Sequence, residues 1–484
     1  MSLTSASSRG VTGSESQTLG EVMFQTRLND WIRFWGPQLA RGTRPRSLER
    51  KLSSNLGAGS QGPRNQGTRA VARVIESGDK VDNARSGVRQ RDSVGVSLAI
   101  LVLVTGMPIL AASTENASRQ SDSSQYWCFV GTYTQSSDSE GIYVFSFDVT
   151  TGDAGPVQLA ARGTNPSFLA IHPAQDLLYA VSEVAEYADR KSGAVSAFTI
   201  DRRTGMLKSI NQQSSVGTGP CHLVVDRQGS NVLVANYGGG SVACLPIAAD
   251  GRLKPASAFV QHHGSSVNPR RQQAPHAHSI NLDPNNRYAI VADLGLDQLR
   301  VYQFNSSQGT LTQHTPASSA VAPGAGPRHF TFHPHGQYAY VINELDMTVT
   351  TFAYDAPRGV LTAIQTTPTL PAGVEGEAFS TAEIRAHPSG KFLYGSNRGH
   401  NSIVVYRIDD QTGKLSRVEN QSTHGKTPRN FFIDPTGVFL LAENQASNNI
   451  VLFRIDQQTG KLSPTGNVAE VPRPVCVRMV PVAK

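Results

Sequence analysis

The 484-residue chain carries 44 Lys/Arg against 37 Asp/Glu, a net charge of +7, which taken whole would suit a nucleic-acid partner. The excess is local: residues 1–94 hold 15 basic and 8 acidic side chains, and residues 95–484 hold 29 of each. The larger part is therefore charge-balanced, and the charge argument for nucleic-acid binding falls away.

Residues 1–92 are rich in Ser, Gly, Arg and Gln and show no sustained helical or strand period; such a stretch is expected to be a disordered basic tail. Within residues 93–113 lies the uncharged run VGVSLAILVLVTGMPILAA, Val94 to Ala112, preceded by Arg89 and Arg91. It reads as an export signal or a membrane anchor. The long segment ahead of it is unusual for a signal, and Gly106 and Pro108 weigh against a long span. Export to the periplasm or beyond, or anchoring, is the expectation if the run is used, and a cytoplasmic location if it is not. Residues 114–125 read as a linker.

From residue 126 to 484 the chain repeats itself. A strand, turn, strand unit occurs seven times, as in GIYVFSFDVTTG and SIVVYRIDDQTGKL, with turn glycines at Gly152, Gly205, Gly251, Gly309, Gly359, Gly413 and Gly460. Their spacing of 46 to 58 residues suits one four-stranded unit per repeat. Glycine is expected because such turns need positive φ. A second unit, as in HFTFHPHGQYAYVINE, occurs six times and leaves an orphan C-terminal strand, PVCVRMVPV. The fold class is thus all-β: a seven-bladed β-propeller of four-stranded antiparallel blades. The C-terminal strand is expected to complete the N-terminal blade and close the ring. A closed ring has no edge demanding a partner, so a monomer is expected.

The repeats can be compared with one another. Aligning the turn residues His172, Asp226, Asp283, His333, His387 and Asp434 gives, ten residues on, Ser182, Asn236, Asp293, Asn343, Asn397 and Asn444. A small polar residue in every blade is structural, tying loop backbone. One residue further the column reads Glu183, Tyr237, Leu294, Glu344, Arg398 and Gln445; five before the turn it reads Ser167, Cys221, His278, Arg328, Ala382 and Arg429. Variable, charge-rich columns at one end of the inner strands suggest a site built by several blades around one channel mouth. His278, Arg328, Glu344 and Arg398 then converge from three consecutive blades, with His276, His329, Glu383 and Arg429 as further candidates for holding a substrate. The loop QHHGSSVNPRRQQAPHAHS, which contains His262, His263 and His276, reads as a solvated insertion. The four cysteines form no CxxC pair and no zinc spacing, so no structural metal is expected.

The segments GPRHFTFHP with YVINEL, HAHSINLDP, GSNRGHNSI and TPRNFFIDPTG resemble the propeller lactonase family, which contains bacterial 6-phosphogluconolactonases and fungal 3-carboxy-cis,cis-muconate lactonizing enzymes. The resemblance spans about residues 126–482. It implies a seven-bladed fold, a small-molecule lactone substrate and a functional His, Arg, Glu and Arg, which match His278, Arg328, Glu344 and Arg398. Hydrolysis of an anionic sugar-acid lactone such as 6-phosphogluconolactone is the first reading. A carboxymuconate cycloisomerase and a non-catalytic exported binding propeller remain open. Neither of the two chemistries that the resemblance implies requires a metal or an organic cofactor, and no GxSxG elbow in this region suggests a covalent serine route.

Overall fold

The computed structural model describes residues 124–376 and 378–483; the tail, the Val94–Ala112 segment and most of the linker lie outside the described residues. Seven four-stranded antiparallel sheets follow one another, and among the described residues there is no helix. Blades 2 to 7 each run from the inside outward in chain order, with inner strands Leu169–Ile171, Pro220–Val225, Ala277–Leu282, Pro327–Phe332, Ser380–Ala386 and Pro428–Ile433. Blade 1 departs from this order. Its inner strand is the C-terminal Pro474–Pro481, paired with Gln125–Thr132, and Gly141–Asp148 and Gln158–Arg162 complete it. Consecutive inner strands pack side by side all the way round, so the ring is closed as expected.

Each blade is buried on both faces by its neighbours, which is why the second strands, such as Tyr338–Asn343 and Phe439–Asn444, are apolar almost throughout. The core sits between blades: Phe147 of blade 1 meets Phe439 of blade 7 edge to face, ring centroids 5.5 Å apart, a favoured aromatic geometry. The turn histidines do more than shape their own turns. His172, His333 and His387 place Nε2 against the carbonyls of Gly229, Gly390 and Gly437 in the following blade, at 3.0, 2.9 and 2.7 Å. Where the column holds aspartate, Asp226, Asp283 and Asp434 instead accept backbone N–H groups of their own turns. The small polar column ten residues on is structural too: Asn236, Asn397 and Asn444 donate to the loop carbonyls of Ser215, Thr369 and Thr423.

The seven hairpin glycines all have positive φ, from 62° to 84°. Several also receive the adjacent blade. Tyr340 Oη donates to the carbonyl of Gly413 at 3.1 Å and Tyr394 Oη to that of Gly460 at 2.8 Å. A Cβ on Gly413 would run into the ring of Tyr338. Gly413→Ala therefore combines a left-handed backbone with an interblade clash, and is expected to lower the unfolding free energy by about 2–5 kcal/mol. A urea titration reads this as a lower midpoint at unchanged slope.

Candidate active site

A bulge sets the variable column five residues before the turn. In blade 5, Pro327 pairs with Asn343 and His329 with Ile342, so Arg328 has no partner across the ladder. The same skip leaves Cys221, His278 and Arg429 unpaired in blades 3, 4 and 7. An extra residue in one strand bends the ladder and re-aims its side chain. All four line one void of about 10 Å³, together with Tyr133, Ser167 and Val475. Six blades contribute to it, which places it on the channel axis, and its volume is near the smallest that admits one water.

Glu344 enters from the end of the neighbouring strand, where its N–H donates to Gly326 O at 2.7 Å. Its carboxylate gathers three guanidinium groups. Arg328 Nε and Arg398 Nη2 lie 3.0 Å from Oε2, and Arg271 Nη2 lies 2.7 Å from Oε1. His278 Nε2 stands 3.9 Å from the same Oε2. Three cations against one carboxylate leave two positive charges over. Two of the arginines are fixed by further bonds, Arg328 Nη1 to Ala382 O at 2.7 Å and Arg398 Nη2 to Thr381 O at 2.6 Å. Arg398 Nε is buried and has no partner among the described residues, leaving one directed donor unspent.

The titration states follow from this packing. Burial alone would raise Glu344, but Arg398, Arg271 and Arg328, with His278 beside them, hold it well below the usual carboxylate range. Burial draws Arg398 down to about 10, which leaves it a cation at pH 7. Burial, reinforced by Arg328 and His329, keeps His278 well below the ordinary imidazole value. The cluster thus holds an ionised carboxylate, three cations and a neutral imidazole able to accept a proton.

His278, Arg328, Glu344 and Arg398 are brought together. The other four candidates divide. His276 stacks on Tyr237, centroids 4.5 Å apart, at the edge of the cluster. Arg429 lies over the Tyr133 ring and donates to Tyr133 Oη at 3.0 Å, and that hydroxyl donates to Glu183 at 2.8 Å. His329 and Glu383 bond each other at 3.1 Å further along the channel and do not reach Glu344.

Arg271 was not among the residues singled out in the sequence. It comes from the loop read as a solvated insertion, a reading that holds for only part of the loop. His262 bonds Asp293 at 2.6 Å and Tyr302 Oη at 2.9 Å, and buried Gln272 donates to Leu294 O and Asp297. Buried His262 and Gln272 anchor a loop most of whose other residues are exposed, and it carries Arg271 to Glu344 and to Tyr237 Oη. Two adjacent arginines in an insertion just before the His278 strand were the signal available. All four cysteines are free and buried, and among the described residues no group of three or more His, Cys, Asp or Glu is placed to hold a metal ion.

The family described as "Lactonase, 7-bladed beta-propeller" matches residues 127–479. The chain belongs to this family. This lactonase is 38% identical to a 6-phosphogluconolactonase of Bacillus subtilis over 310 residues, 64% of this chain and 85% of the relative. A 6-phosphogluconolactonase of Formosa agariphila is also 38% identical over 310 residues, 63% of this chain and 86% of the relative. Among solved structures, a periplasmic gluconolactonase of Pseudomonas aeruginosa superposes with a TM-score of 0.70 at 34% identity, covering 74% of this chain and 100% of the other. By class the lactonase is a lactone hydrolase.

Proposed function

We propose that the protein hydrolyses the lactone of an anionic sugar acid such as 6-phosphogluconolactone at the Glu344 cluster. The observation that carries this is the charge count: three guanidinium groups on one carboxylate, at 2.7 to 3.0 Å, leave a net positive site for an anionic substrate and its oxyanion. His278, neutral at pH 7, takes a proton as a water oxygen bonds to the lactone carbonyl carbon. Arg328 and Arg398 stabilise the oxyanion. Collapse of the tetrahedral intermediate breaks the ring C–O bond, and the leaving alkoxide takes the proton back from His278, giving a hydroxy acid. Glu344 is a positioning residue: it is too strongly stabilised as an anion to serve as the base, and it orients the three arginines and steadies the imidazolium.

The full chain is expected to hydrolyse 6-phosphogluconolactone well above the spontaneous rate, and a folded Arg328→Ala variant to lose about 10²–10³ of kcat. A parent no faster than the spontaneous reaction, or an unaffected variant, overturns the proposal.

A second reading of the substrate is D-gluconolactone, without phosphate. The Val94–Ala112 segment supports export, and the Pseudomonas aeruginosa relative is described as periplasmic; phosphorylated sugars are ordinarily cytoplasmic. N-terminal sequencing that finds cleavage after the apolar segment, with kcat/KM higher for gluconolactone, would favour it. An intact residue 1 in a soluble cytoplasmic fraction would count against it.

A further inference from the structure

Beyond the axial void the channel opens again, into a funnel of about 640 Å³. Phe168 and His329 line both spaces and so form the floor between them. The void offers room for about one water, which makes the funnel a separate compartment for anything larger. Its walls include Arg385 from blade 6, Phe432 from blade 7 and Arg478 from the C-terminal strand of blade 1.

The two guanidinium groups are held in place with little use of their donors. Arg478 sits over the Phe168 ring, 4.7 Å from its centroid, and Arg385 over Phe432 at 5.3 Å. Stacking over a ring fixes a guanidinium without consuming N–H groups. Of five N–H donors apiece, Arg478 commits Nη1 to Val477 O at 2.7 Å and Arg385 commits Nε to Phe431 O at 2.8 Å. Arg385 approaches Glu383 only at 3.7 Å, and no carboxylate of the described residues lies within 4.0 Å of Arg478.

The acids in the same wall are already engaged. Glu383 accepts from His329 Nδ1 at 3.1 Å and from the Ile384 N–H at 3.0 Å. Asp283 accepts the N–H groups of Arg287 and Tyr288 in its own turn. His222 and His329 are kept neutral chiefly by burial. The buried carboxyl of Glu443 lies in the field of both arginines but hydrogen-bonds to neither, and burial pushes it well above the usual carboxylate range, so it does not match their charge. Partly buried arginines with open forks and no ionised carboxylate bonded to them are what a planar or tetrahedral oxyanion requires. We propose that this second channel mouth binds a small oxyanion, a carboxylate or a phosphate monoester, held by Arg385 and Arg478 and distinct from the Glu344 cluster.

Isothermal titration of inorganic phosphate, and separately of D-gluconate, into the full chain tests this. Two binding events are expected. Arg398→Met should remove the event at the Glu344 cluster. Arg478→Met, and independently Arg385→Met, should weaken the other by about tenfold or more while lactone hydrolysis stays within about twofold, since neither residue touches that cluster. Tighter binding of gluconate assigns a carboxylate ligand, and tighter binding of phosphate assigns a phosphate monoester. A single event that vanishes with Arg398→Met overturns the proposal. So does binding that survives both Arg478→Met and Arg385→Met in variants whose thermal unfolding by circular dichroism shows them to be folded. Because the readout is binding, failure here leaves the hydrolysis proposal standing.

Discussion

His278→Gln is expected to lower kcat for lactone hydrolysis by about 10²–10⁴-fold, the usual worth of a general base, while KM changes little. Glutamine keeps the volume and a hydrogen-bonding end but cannot carry the transferred proton. The surroundings suit proton transfer, for the imidazole is buried, with Glu344 at 3.9 Å to stabilise its charged form and Cys221 Sγ 3.7 Å from Nδ1. Since burial, with Arg328 and His329, holds its pKa well below the ordinary value, the basic form dominates through neutrality. The kcat/KM profile should be flat above about pH 6.5 and fall only as pH drops through the depressed value; the variant should lose that acid limb. A variant that retained both the rate and the limb would shift the base role elsewhere. Glu344→Gln separates the roles. It should disturb KM and kcat together through the misplaced arginines, without removing the acid limb.

Truncation after Arg473 should abolish cooperative folding. The missing strand is the inner strand of blade 1, paired with Gln125–Thr132 from Tyr126↔Pro481 to Thr132↔Pro474. It buries Val475, Cys476, Val477 and Val480, each 3% exposed or less. At about 1.5–3 kcal/mol for each such side chain, the loss is about 6–12 kcal/mol, comparable to the whole stability of a typical domain, about 5–15 kcal/mol. It would also expose the edge of the Gln125–Thr132 strand, inviting association. Circular dichroism should show no sharp thermal transition and size exclusion should show aggregates. A truncated chain that melts cooperatively as a monomer would mean that six complete blades and one incomplete blade suffice.

Much of this architecture could be read from the chain because a propeller writes the same constraints repeatedly. The seven glycines recur because each hairpin turn needs positive φ, and the orphan PVCVRMVPV strand had one place to go. The variable columns, together with the family resemblance, pointed to His278, Arg328, Glu344 and Arg398, and the structure sets these four side by side. What repetition could not reveal was whatever occurs once. Arg271 lies in an insertion without counterpart in the other blades, so no column contained it, and its reach to Glu344 depends on the packing of Gln272 and His262. His329 and Glu383 stand one residue beyond the site-lining column, where strand alternation turns Glu383 into the far compartment and sets His329 at the floor between the two spaces. The turn histidines hid an interblade role because their acceptors, the carbonyls of Gly229, Gly390 and Gly437, belong to other repeats.

The bulge at the head of the inner strands separates two demands, pairing and chemistry, that most β-sheets must meet with the same residue. A side chain left out of the ladder can be exchanged without disturbing register, so thiol, imidazole and guanidinium occupy equivalent positions in Cys221, His278, Arg328 and Arg429. Four blades offer such a socket, and the ring behaves as a short word spelled around an axis. Substituting letters at these sockets is the least disruptive way to give the same scaffold a different substrate, and a library varied there alone would sample new chemistry while leaving the frame untouched.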